Sequence, residues 1–369
     1  MMDKPLQIGD STPQRRNKFS LVFDLALLWS FASAISIPLR FDNWPPAVFL
    51  TYPPRGPYIL IGIVFACYLI LNKCIRTSVF PTLWYTIRLG ISLATVVLCI
   101  YSQGWNPLRQ VISNSLGNNM SDCLSLISAN TGGHPVEFAD QLDGSELPDI
   151  ICLQESVIAH RQSIADRLPK YQLYYGSDDV SFNHKSGFVQ SNVIGLLKST
   201  FATDGAIVDS DLTGYRTFAV TAPLISQPKT SLTIVNVHTT KALVFHAGLG
   251  GFLLETPSKA RRHVSERIAI EEWISNQPKN SPIVLAGDFN APTKTVGARF
   301  HHFTDSHMAA SNHALLTFPE NFPVLGIDHV FGSAQIEFIK SEAAPNPHSD
   351  HCYRRVEMAV RRPRVADNY

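Results

Sequence analysis

The chain is poor in charge, and what charge it has is balanced: 17% of its 369 residues are charged, 31 basic against 30 acidic. With 45% hydrophobic residues, that composition excludes an intrinsically disordered chain. The even balance excludes a protein that coats nucleic acid by bulk charge, because such affinity grows with the phosphates neutralised by Lys and Arg. Cysteine is scarce too. The six cysteines follow neither a disulfide framework nor a paired metal-type spacing, so a stapled scaffold or a zinc module is not expected. Cys152, inside an apolar run, reads as a small core residue. Beyond Trp105 there is no long low-complexity linker and no repeat of solenoid period.

Hydrophobicity is unevenly spread. Residues 1–105 carry nine basic and four acidic side chains, a net of +5, and the remainder carries 22 against 26, a net of −4. Apolar stretches at about 20–39, 57–72 and 83–101 are flanked by Pro, aromatic or basic residues and lack amphipathic periodicity. A membrane anchor of about three transmembrane helices over residues 1–105 is therefore expected, ahead of one catalytic domain over 106–369. Asp24 and Arg88 interrupt the first and third stretches, and Ala32-Ser33-Ala34 offers a signal-peptidase-like site, so the first is either a span or a cleaved signal. Lys4, Arg15, Arg16, Lys18, Lys73, Arg76 and Arg88 on one side against Arg40 and Arg55 on the other place the carboxy-terminal domain outside the cytoplasm, at the cell membrane.

Past residue 106, short apolar runs bounded by Asp, Asn, Gly or Pro read as strands, at 111–113, 150–153, 193–197, 217–221, 232–237, 283–286, 329–331 and 336–339. Amphipathic patterns predict helices from Pro257 to about Ser275 and over 156–168. The mixture implies packed sheets flanked by helices. Acids, amides and imidazoles follow the apolar runs where ordinary turn residues would serve: Asn114, Glu155, Asn236, His238, Asp288, Asn290, Asp328, Asp350 and His351. Several strand ends meeting at one edge would gather them in a cleft. Hard oxygen donors with two histidines, and no serine or cysteine nucleophile, suit a magnesium-assisted phosphoester hydrolase. The segment 242–254 reads either as a membrane-touching lid or as a buried hairpin, and Arg216 either as a cleft cation or as a surface residue.

In order along the chain, PDIICLQES, the strand ending NVH, LAGDFNAP, GIDHVF and HSDH resemble the endonuclease/exonuclease/phosphatase superfamily with the deoxyribonuclease I-like fold. Thr317-Phe318-Pro319 and the preceding apolar segments are similar to its bacterial membrane-anchored branch. The resemblance implies an α/β fold, a four-layer αββα sandwich of two packed β-sheets, here preceded by an N-terminal helical transmembrane region. It implies that Glu155 is the principal Mg²⁺ ligand, with Mn²⁺ a possible substitute and Asn114 and Asp350 near the metal or phosphate. Asp288 would hold or deprotonate the attacking water, and Asn290 would orient it. Asp328 would pair with His351, and His238, supported by Asn236, would face the scissile phosphate. Asp288 and His351 both stand as general-base candidates. The expected substrate is a phosphate ester, from nucleic acid, phospholipid or a small metabolite, with a lipid bilayer as the other partner and no protein partner inferred. A non-catalytic tethered binding module is the alternative from another class.

Overall fold

The computed structural model describes residues 25–33, 56–75, 82–102, 123–142, 147–176, 190–209, 212–213, 216–242, 248–297, 299–311, 316–321, 323 and 325–361. Asn114 and the strand expected at 111–113 lie outside the described residues.

Two six-stranded mixed sheets pack face to face. The first has the order β11-β12-β1-β2-β4-β3 and the second β5-β6-β7-β8-β10-β9. At the centre of each lies one parallel pair: β1 (Cys123–Asn130) beside β2 (Ile150–Val157), and β7 (Ser231–His238) beside β8 (Ile283–Asp288). Strands β3 (Tyr171–Tyr175), β4 (Gln190–Leu197), β11 (Ile336–Ala344) and β12 (Tyr353–Val360) complete the first sheet. The second is completed by β5 (Ile207–Asp209), β6 (Phe218–Pro223), β9 (Thr304–Asp305) and β10 (Asp328–Gly332).

Alternation of side chains decides the layers. Leu124 and Leu126 of β1, Ile150 and Cys152 of β2, Ile234 of β7, Val284 and Ala286 of β8 and Val330 of β10 meet between the sheets in one core. The intervening residues point outward. Ile127, Ala129, Ile151 and Leu153 pack beneath α4 (Pro135–Leu142) and α5 (Arg161–Arg167). Val235, Val237, Ile283 and Leu285 pack beneath α6 (Gly248–Ser275). Both faces of each sheet are thus covered, which is why these strands read as near-continuous apolar runs rather than alternating ones. The result is the expected sandwich of two sheets between helices.

Local expectations shift in several places. Helix α6 begins at Gly248 rather than Pro257, and Pro257 sits inside it, so 248–254 is neither lid loop nor hairpin but the first turns of a helix. Ser156 and Val157 still belong to β2, so the helical segment after it reduces to a short 3₁₀ turn, Ile158–His160, and α5. Strands β1, β3, β5, β9 and β12 are absent from the sequence expectation; in β1, Ser and Ala dilute the β-branched signal.

The expected spans also need correction. Helices at 25–33 (α1), Gly56–Ile75 (α2) and Thr82–Ser102 (α3) are present, but among the described residues no helix is long and apolar enough to cross a membrane. Polar Asn72 and Lys73 end the apolar run of α2, and Arg88 lies within α3. Leu27, Phe65 and Leu69 bring the three helices together, with Leu89 and Ile91 against them.

Candidate active site

The inner face of each central strand changes character at its C-terminal end. On β1 the column that begins with Leu124 and Leu126 continues through Ser128 to Asn130. On β7 the column through Ile234 continues to Asn236 and His238, and on β8 that through Val284 and Ala286 continues to Asp288. The antiparallel register then places Asp328 of β10 directly opposite Asp288, and the parallel register places His238 beside it. One edge of the sandwich interior is therefore polar by simple alternation.

Two backbone irregularities aim side chains that alternation alone would misplace. The register of β2 against β4 shifts between Leu153 and Ser156, and Glu155 within that bulge has φ 54°. A left-handed glutamate costs on the order of 1–3 kcal/mol and persists only where the surroundings impose it. Here it turns the carboxylate to the cleft while Gln154 stays inside. After Asp288 the chain reverses at Asn290, φ 47°, a conformation that asparagine tolerates. Its own N–H donates to Asp288 Oδ1 at 2.8 Å, and its Nδ2 donates to Asp288 Oδ2 at 3.1 Å and to the Thr239 carbonyl at 2.8 Å.

Asp288 is the hub. Besides the Asn290 bonds it accepts from Asn130 Nδ2 at 3.1 Å, and the same amide nitrogen reaches Glu155 Oε1 at 3.3 Å, linking the carboxylates of the two sheets. His351 Nδ1 lies 3.0 and 3.2 Å from the two oxygens of Asp328, and its ring packs on Phe318 with centroids 4.9 Å apart. The neighbouring Thr317 hydroxyl accepts from the backbone N–H groups of Ile327 and Asp328. The Thr-Phe-Pro segment thus holds both halves of the dyad. The buried Nε2 of His351 has no hydrogen-bond partner among the described residues; its nearest acceptors are Asp350 Oδ1 at 3.8 Å and Asp288 Oδ2 at 3.9 Å. His238 presents Nε2 to Glu155 Oε1 at 3.4 Å and to Asp288 Oδ2 at 3.9 Å.

The electrostatics follow from this packing. Burial works against a charged Glu155, yet the imidazole of His238, its Nε2 3.4 Å away, and the positive charges of Lys241 and Arg216 outweigh it and hold the carboxyl well below the usual range. For Asp288, burial is the largest influence and Asp328 adds to it, so its carboxyl is pushed up despite His351, His238 and Lys241. Burial opposes charge on His351 as well, but Asp328 and Asp288 prevail and raise it to about 9. Lys241, three residues past His238, is raised, its desolvation outweighed by Glu155, Asp288, Asp350 and Asp328.

Of the residues anticipated from sequence, Glu155, His238, Asp288, Asn290, Asp328 and His351 converge. Asp350 stands at the exposed rim. Asn236 is set back from the others. It is fully buried, its Nδ2 donates to the Leu153 and Val193 carbonyls and its Oδ1 accepts from Gln154 Nε2 at 2.8 Å, which rivets one sheet to the other. Asn130 and Lys241 are site residues that the sequence pattern does not single out. Asn130 closes an apolar run immediately before Thr131-Gly132-Gly133, the same punctuation that marks the other strand ends, but the run ending at Asn114 competes with it. Arg216 proves to be a cleft residue, 4% exposed.

The donors also say which group could hold a cation. Asp288, Asp328 and His351 offer atoms within 4.8 Å of one another, but Asp328 is committed to the imidazole and Asp288 to amide donors, an arrangement for moving and stabilising protons. Glu155, partly exposed at the cleft and depressed toward the carboxylate form, is the group that could hold a divalent cation through a hard oxygen.

A polar cleft sewn between two docked sheets defines an αββα sandwich with the equipment of a hydrolase. Residues 114–351, well over half the chain, match the Endonuclease/Exonuclease/phosphatase family, and the chain belongs to it. None of the curated proteins compared with the chain is a match. Among solved structures, an endonuclease/exonuclease/phosphatase from Bacteroides vulgatus is similar at 15% identity and a TM-score of 0.49, over 65% of this chain and 100% of that one. D. rerio TDP2 complexed with a single-strand DNA product gives 15% and 0.48, over 65% and 100%. A mannosyl-6-phosphatase of Bacteroides thetaiotaomicron gives 15% and 0.44, over 64% and 99%.

Proposed function

We propose that the protein is a divalent-metal-dependent phosphoesterase that hydrolyses phosphodiester or phosphomonoester bonds by direct attack of water. The observation that carries this reading is the hydrogen-bonded line Glu155, Asn130, Asp288, which joins a metal-type carboxylate on one sheet to the Asp288, Asp328 and His351 cluster on the other. A cation bound at Glu155 would act as a Lewis acid toward a phosphoryl oxygen. The chain's own groups do the rest. Asp328 takes the Nδ1 proton of His351 in a hydrogen bond, so the imidazolium aims its unpartnered Nε2–H into the cleft, where a phosphoryl or leaving-group oxygen completes the bond. Asp288, held by Asn290 and Asn130 with its carboxyl pushed up by burial, orients the water and takes its proton as the water oxygen bonds to phosphorus, while the departing oxygen takes the Nε2 proton of His351. Lys241 balances the carboxylates around an anionic substrate.

The expected test uses the full chain with Mg²⁺, with Mn²⁺ and with chelator, against bis-aryl phosphate, single- and double-stranded DNA, RNA and phospholipid vesicles. Turnover that requires the metal is expected, and Glu155→Gln should lower kcat/KM about a thousandfold and weaken calorimetric Mg²⁺ binding at least tenfold. Turnover independent of metal, or full activity in this variant, would overturn the reading.

We further propose that the N-terminal helices hold the protein at a bilayer. The support is their reversed polarity. Ser30, Ser33, Ser92 and Thr95 are fully buried, Ser30, Ser92 and Thr95 bonding to carbonyls one turn back, and a Cβ on Gly62 would meet Val96 Cγ2 at 2.8 Å. Leu25, Leu28, Trp29, Leu60, Ile63, Val64, Leu93 and Val97 point outward, each about half exposed or more. Hydroxyls and a close-packed glycine inside, beside Leu27, Phe65 and Leu69, with a ring of large apolar side chains outside, suit lipid as the solvent. Val64→Lys with Val97→Lys should shift the chain from the vesicle-bound to the free fraction in flotation; unchanged flotation would remove the proposal.

A further inference from the structure

A guanidinium has five N–H donors and no acceptor. Arg216 Nη1 nonetheless lies 3.2 Å from His238 Nδ1, with the two residues only 4% and 3% exposed. That contact is a hydrogen bond only when Nδ1 offers its lone pair; a proton there would set donor against donor in a place where water cannot intervene. The other ring nitrogen meets acceptors, Glu155 Oε1 at 3.4 Å and Asp288 Oδ2 at 3.9 Å. The hydrogen bond at Nδ1 thus sets the arrangement, and the carboxylates on the far side suit a proton on Nε2.

We infer that Arg216 is a positioning residue that fixes the tautomer of His238, keeping Nδ1 as acceptor so that the ring proton resides on Nε2 and is presented to the cleft. The two histidines of the site are thus oriented by opposite means. A carboxylate accepts the Nδ1 proton of His351, whereas a cation fills the Nδ1 lone pair of His238. The histidine so held is a hydrogen-bond donor toward a phosphoryl oxygen and has no free lone pair with which to take a proton from water, which leaves proton removal to other groups. Arg216 is itself anchored: its carbonyl accepts from Asn192 Nδ2 of β4, tying the device to the opposite sheet. Its catalytic consequence rests on the phosphoesterase reading, but the tautomer does not.

The experiment is long-range ¹H–¹⁵N correlation spectroscopy on the full chain in detergent, labelled at histidine, with the His238 ring assigned by its loss in His238→Gln. The wild type is expected to show Nδ1 unprotonated and Nε2 protonated, both in chelator and with Mg²⁺. Arg216→Gln should lose that preference. Arg216→Lys, which keeps a cationic donor, should retain it. With bis-aryl phosphate, Arg216→Gln should lower kcat about tenfold or more with KM nearly unchanged, and Arg216→Lys should restore part of it. A wild-type Nδ1–H ring, or an unaltered tautomer in Arg216→Gln, overturns the inference. Absence of any metal-dependent turnover in the wild type sinks the phosphoesterase reading instead, while the spectra still decide the role of Arg216.

Discussion

His351→Gln is expected to lower kcat by about a thousandfold, close to 4 kcal/mol of barrier, with the fold retained. Glutamine keeps a donor and much of the volume, so the packing on Phe318 survives, but the cation is lost and Asp328 is left facing an amide. The pH profile carries more information than the amplitude. Burial disfavours the charged ring, and Asp328 and Asp288 override it to place its pKa at about 9. His351 is therefore protonated at neutral pH and ready to donate. Activity of the wild type should fall as pH rises through about 9; if His351 instead removed the water's proton, activity would climb over the same interval. The same group leaves a mark on stability. Its folded pKa exceeds the unfolded value of about 6.5, so its contribution is complete below about pH 6.5 and disappears as pH rises through about 9. Stability measured by denaturant titration in chelator should decline across that window by on the order of 2–3 kcal/mol, and His351→Gln should flatten the decline.

Gly287→Ala should be the most damaging small substitution in the domain. Gly287 has φ 148°, and a Cβ there would lie 1.9 Å from the Val237 carbonyl oxygen. That oxygen belongs to the adjacent parallel strand, which cannot retreat without breaking the register that sets His238 beside Asp288. A loss of about 3 kcal/mol or more is expected, lowering Tm by about 10 °C, together with most of the turnover. Gly297→Ala, where a Cβ meets nothing within 4 Å, is the matched control and should change neither. Equal tolerance at both positions would mean that the close strand approach is not needed.

The strand ends carrying Glu155, His238 and Asp288 are legible in the sequence because each combines an apolar run with a polar residue that no turn requires, whereas Asp328 opens a strand and His351 sits in a loop, both legible through the GIDHVF and HSDH segments. The sandwich follows from the same runs. Asn130 escapes because β1 is diluted by Ser and Ala, and a competing run ends at Asn114. Asn236 departs from its expected part for a different reason: an amide beside a catalytic histidine has the same sequence signature whether it faces substrate or fastens two sheets, and only its partners Leu153, Val193 and Gln154 distinguish the two. Arg216 stays undecided in sequence since nothing local to Tyr215-Arg216-Thr217 shows that a histidine 22 residues on will come to rest against it. Helix α6 exceeds its expected length because Pro257 lies inside it rather than opening it.

Asn130 and Glu155 come from one sheet, whereas His238, Asp288 and Asp328 come from the other. A chain that had formed either half alone would own an incomplete set of chemical groups and turn over nothing. Enzymatic activity should accordingly be the last property regained in a refolding time course, trailing circular dichroism, and would report the moment when the halves mate.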